Sequence, residues 1–181
     1  MEAVATHTRR TGWTGAAETV ITTWAILGGV MVLAVVLMNV WSVVSALAFW
    51  ETLFPEAAIT FQGDFELTQM GIAIAAFAFL PYCQISGANV SADIFTSRAS
   101  PLWIAIFALV ASVVALIFGI LLLYAMYSGM LSQRQYNYTT AILQVPIWWA
   151  YLPCLLSLAL LALASFITLI ENLGKTTRGG N

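Results

Sequence analysis

The residues able to carry chemistry are few and scattered. His7 is the single histidine and lies near the start of the chain. Membrane subunits that hold haem commonly do so with axial histidines inside their spans, and no such histidine is available here. A metal site built on histidine and cysteine is equally poorly supplied. A Ser-His-Asp set cannot assemble within a bilayer without a histidine there. No GxxxxGK[ST] phosphate loop occurs. Cys83 falls near the far end of one apolar stretch and Cys154 near the start of another, which puts their sulfurs at different depths. A disulfide needs Cα atoms within about 7 Å, so two unpaired, inert thiols are expected. No catalytic set, cofactor or metal is expected.

The polar residues that remain suit contacts better than catalysis. Asn39 lies inside the first apolar stretch, where an amide usually bonds a neighbouring helix. Glu66, with Thr68 and Gln69, opens the second. Either its carboxylate favours the positive end of a helix dipole, or it contacts a partner subunit. Tyr82, Ser86, Asn89 and Asp93 follow a 4, 3, 4 spacing that places all four on one helical face. A polar stripe facing lipid is costly. That stripe is either a helix end that caps itself and turns, or a docking face for another membrane subunit.

These residues are set among elements built for lipid. Of 181 residues 61% are hydrophobic and 8% charged, and the mean hydropathy is +0.93. A soluble domain carries about 25% charged residues. The charges leave four uncharged stretches, 19–50, 67–92, 99–133 and 135–170. Each exceeds the roughly 20 residues that a spanning helix needs. The chain therefore reads as an all-α integral membrane protein with four transmembrane helices, near 20–48, 67–90, 101–128 and 147–170. Residues 1–19 and 171–181 form the tails of this 20–170 membrane domain. Arg9 and Arg10 do not open a cleavable signal peptide, because the apolar stretch after them is too long and lacks a clear cleavage site.

Ser100-Pro101 reads as an N-cap followed by proline at the first helical position, and Pro146 is expected to open the fourth span likewise. Pro81 and Pro153 should bend the second and fourth spans. Gly71 and the alanines at 73, 75, 76 and 78 make the second span thin, the best candidate for close packing. Most tryptophans fall near span ends, as interfacial residues do. Both tails and the 91–100 loop share one side and hold Arg9, Arg10, Arg98, Lys175 and Arg178; the other side holds Arg134 alone. Both termini should therefore be cytoplasmic. With net charge −2 and no basic run, nucleic acid is not an expected partner.

At this point the pattern resembles the small membrane subunit of tripartite ATP-independent periplasmic (TRAP) transporters, the DctQ-type family. That family has a Glu at the start of the second span and a Gly-x-His-x-x-x-Asp-like stretch at its end. Here Glu66 occupies the first position and Gly87-Ala88-Asn89-Val90-Ser91-Ala92-Asp93 the second, with Asn89 where the family often has His. Gln84, Ile85 and Ser86 replace its usual basic residues. Gln144-Val145-Pro146-Ile147-Trp148-Trp149, with Pro153, is similar to the family's entry into the fourth span. The resemblance implies a multi-pass protein of the bacterial inner membrane. It would serve a sodium symporter in which a soluble periplasmic protein captures an organic acid and a large membrane subunit moves it. The small subunit would enlarge the scaffold of the large one without binding substrate.

Two other functions stay open on the residues alone: a self-contained homo-oligomeric transporter or channel, and a membrane anchor for another complex. Small multidrug exporters need a carboxylate in the first span, and residues 19–50 hold none. For the scaffold reading, the subunit-interface candidates are Glu66, Gly71, Ala75, Ala78, Tyr82, Ser86, Gly87, Asn89 and Asp93, with the face from Gly71 to Asp93 buried against a partner or the chain's own helices. The loop 51–66, which carries four acids and no basic residue, should face the periplasm.

Overall fold

A computed structural model describes residues 12–45, 62–87 and 101–178. They form four α-helices: α1 (Trp13–Ser45), α2 (Asp64–Ser86), α3 (Pro101–Gln135) and α4 (Trp148–Arg178). All four are long and apolar enough to cross a membrane. At 35 residues α3 is about 52 Å long. The hydrocarbon layer is about 30 Å thick, so α3 must tilt or extend past it. Among the described residues there is no strand, only an isolated antiparallel bridge between Thr139 and Pro146.

The helices are assembled by small residues. α2 packs on α1 and on α4, α1 also reaches α4, and α3 leans chiefly on α4. Gly28 of α1 faces Ala78 so closely that a Cβ on it would lie 2.8 Å from the alanine methyl. Val35 sits in the notch left by Gly71, where an added Cβ would come within 2.5 Å. Gly119 rests against the backbone of Ala162, which brings α3 onto α4. Larger side chains gather toward the end of the bundle that holds the start of α1 and the last turns of α2 and α4. There Ile21, Ile85, Ala164 and Ile167 form a buried cluster backed by Ala17 and Leu160.

Much of the apolar surface remains uncovered. Ile26, Leu33 and Leu121 are exposed, and so is Phe118 at 60%. Water would make such a surface stick to others; lipid covers it at no cost.

Three local expectations need correction. The second helix, expected over 67–90, stops at Ser86, because Gly87 takes the left-handed conformation (φ 65°) and its N–H turns back to the Cys83 and Gln84 carbonyls. This is the usual glycine helix stop. Pro146 does not open the fourth helix. α4 starts at Trp148, and Pro146 instead closes the bridge with Thr139. The most deeply packed helix is α4 and not α2, since a larger share of its span is buried. Ser157, Leu158, Ala164, Ser165 and Ile167 of α4 all lie inside, whereas Ala73 and Ala76 of α2 face outward. Pro101 does begin α3.

Candidate functional site: interhelical clasps and a loop clamp

Several polar side chains in the spans bond neighbouring helices. Asn39 Nδ2 donates to the Thr68 hydroxyl of α2 at 2.7 Å and to the Val35 carbonyl at 2.8 Å. One turn on, the Ser42 hydroxyl donates to Asp64 Oδ2 at 2.5 Å, and Asp64 Oδ1 accepts the Phe65 N–H. The Asp64 carboxylate thus sits in the first turn of α2, where the exposed N–H groups favour negative charge. The Trp24 indole N–H of α1 donates to the Ser157 hydroxyl of α4 at 2.8 Å. Gln84 of α2 donates to Thr168 of α4. Asn172 of α4 donates to Ser112 at 2.8 Å and to the Ala108 carbonyl of α3. Asn39 was recognisable in the sequence as a helix-to-helix amide. Trp24, Ser157, Thr168 and Asn172 were not: most tryptophans read as interfacial, Asn172 fell in the expected tail, and lone hydroxyls in a span carry little signal.

Glu66 has a role that neither sequence reading foresaw. Its two carboxylate oxygens accept the N–H groups of Ile142 (2.7 Å) and Leu143 (3.0 Å) in the α3–α4 connection. That connection is a small hairpin. Ile147 N–H donates to Tyr138 O, Thr140 N–H to Val145 O, and Val145 N–H to the Thr140 hydroxyl. Gly63, at φ 112°, precedes α2, and Leu143 packs so tightly on it that an added Cβ would lie 2.5 Å from Leu143 Cγ. Glu66 and Gly63 therefore clamp the hairpin to the start of α2. A glycine just before an acidic first turn was the one available signal.

Gly71, Ala75 and Ala78 are buried. Tyr82 is 42% exposed in the chain by itself, and the buried line continues through Pro81 and Ile85. Ser86 is half-buried and its hydroxyl bonds back to the Tyr82 carbonyl at 2.6 Å. Gly87 is exposed at the helix end. Asn89 and Asp93 lie outside the described residues, as do His7, Arg98 and the acidic loop 51–61. Cys83 and Cys154 are free thiols, the first half-buried and the second buried. Among the described residues no three His, Cys, Asp or Glu side chains gather as a metal set.

These features define a four-span membrane protein in which several polar side chains join helices to each other. The family model of the DctQ component of tripartite ATP-independent periplasmic transporters matches residues 44–175. The chain belongs to that family. No curated protein and no solved structure matches it.

Proposed function

We propose that this chain is the small scaffold subunit of a sodium-coupled TRAP transporter in a bacterial inner membrane. Both termini lie in the cytoplasm. A large membrane subunit beside it carries the sodium and substrate sites, and a periplasmic protein delivers an organic acid. The family match over residues 44–175 carries this reading. Two features support the scaffold role. The polar side chains Asn39, Thr68, Gln84, Thr168, Ser112 and Asn172 are engaged with each other across helices. The broad apolar surface of the bundle offers room for a second membrane protein. Of the interface candidates Glu66, Gly71, Ala75, Ala78, Tyr82, Ser86, Gly87, Asn89 and Asp93, Gly71, Ala75 and Ala78 serve the chain's own α1 contact, and exposed Tyr82 is the one proposed to meet a partner.

Co-expression with the multi-span protein encoded beside it tests the proposal. A tagged copy should retain that large partner through purification in mild detergent. Recovery of the chain as a stable, lone monomer under the same conditions would contradict it.

A further inference from the structure

The α3–α4 connection satisfies most of its own backbone donors. Residues 136–147 contain eleven backbone N–H groups, since Pro146 has none. Eight of these, on Tyr136, Asn137, Tyr138, Thr140, Ile142, Leu143, Val145 and Ile147, donate within the chain. A loop bathed in water has no need to satisfy its own donors, whereas a segment near hydrocarbon must. Beside the polar Asn137, Thr139 and Gln144, this hairpin exposes three large apolar or amphipathic side chains. Tyr136 is 64% exposed, Tyr138 53%, Ile142 57%, and Trp149 at the adjoining helix start 56%. Tyr136 and Tyr138 lie side by side with ring centroids 5.8 Å apart. The Arg134 guanidinium stands 5.5 Å over the Trp148 ring, which puts a cation among the aromatics. On the adjoining helices Tyr127 and Leu131 of α3 and Leu152 of α4 are exposed as well.

We infer that residues 136–147 are an interfacial anchor: a hairpin, held down by Glu66 and Gly63, that lies in the lipid headgroup layer beside the spans. Tyrosine and tryptophan favour that layer because each has an apolar ring and a polar tip. Arg134 there meets lipid phosphate. The occupant of this surface is lipid, by continuity with the apolar flanks of α3 and α4. The inference stands apart from the transporter reading, since it holds for any protein with these four spans.

The test uses the full chain in nanodiscs of phosphatidylethanolamine and phosphatidylglycerol. With both native cysteines replaced by alanine, a nitroxide is placed through Tyr138→Cys or Ile142→Cys, and through Leu121→Cys as a mid-span reference. Power saturation with oxygen and with a water-soluble nickel chelate reads depth. Labels at 138 and 142 should collide more with oxygen than with nickel, at a depth between the reference and bulk water. Nickel collisions at the level of a water-exposed label would overturn the inference. So would shielding from both reagents, which would mean that protein covers the hairpin. Hydroxyl-radical footprinting of the unsubstituted chain in the same discs reads Tyr136, Tyr138 and Trp149 without any substitution. Oxidation slower than in the unfolded chain is expected, and oxidation at the unfolded rate would equally overturn it.

Discussion

Glu66 joins two parts of the chain that are 76 positions apart. A carboxylate that accepts two backbone N–H groups does so with both oxygens, and an amide offers only one. Glu66→Gln should therefore free one end of the hairpin while leaving the helices in place. Hydrogen exchange followed by mass spectrometry checks this: the segment containing Ile142 and Leu143 should lose protection, and α1 should not. Gly63 and Gly87 both hold positive φ, but they differ in surroundings. A Cβ at Gly87 meets open space, so Gly87→Ala costs only the left-handed backbone, about 1–2 kcal/mol. Gly63→Ala adds to backbone strain a clash with Leu143, and each penalty is about 1–3 kcal/mol. Thermal unfolding in one detergent should rank Gly63→Ala as clearly the more damaging of the two.

Between elements, the α1–α2 seam is the contact most sensitive to size. Gly28→Ala would bring two methyl groups within 2.8 Å, so the helices must part. The expected loss is about 1–3 kcal/mol. Ala78→Gly in the same chain should restore part of it, which a double-mutant cycle measures. Asn39 and Thr68 sit in the same seam. Their coupling on alanine substitution should be near 0.6 and at most about 1.7 kcal/mol, the range for hydrogen bonds between membrane helices.

Much of this architecture was legible in the sequence. Charges bracket each apolar stretch, because hydrocarbon excludes them, so four helices could be counted directly. Gly71, Ala75 and Ala78 announced a close approach by their size and spacing. The helix stop at Gly87 was also written there, but the regular spacing of Tyr82, Ser86, Asn89 and Asp93 drew the helix on past it. Pro146 misled for a similar reason: proline suits a helix start and a hairpin bridge alike, and only the partner at Thr139 decides between them. The Glu66 clamp was legible only as a glycine before an acidic first turn, and that names no partner. Its partners are backbone N–H groups, which every residue but proline carries, so no side chain at 142 or 143 signals it.

At the scale of the whole molecule, α1, α2 and α4 hold together around small residues, with α3 standing at the side of α4. Several polar groups of the spans pair across helices, and a large apolar surface is left outside. On the proposed reading such a bundle widens a membrane complex and leaves the moving of solute to its partner. The most direct measurement is solute uptake into proteoliposomes under an inward sodium gradient, with the cognate periplasmic binding protein supplied. Vesicles that hold this chain alone should stay at the background of empty liposomes, and uptake should emerge only when the large membrane subunit is reconstituted beside it. Sodium-dependent accumulation by the chain alone would contradict the scaffold role outright.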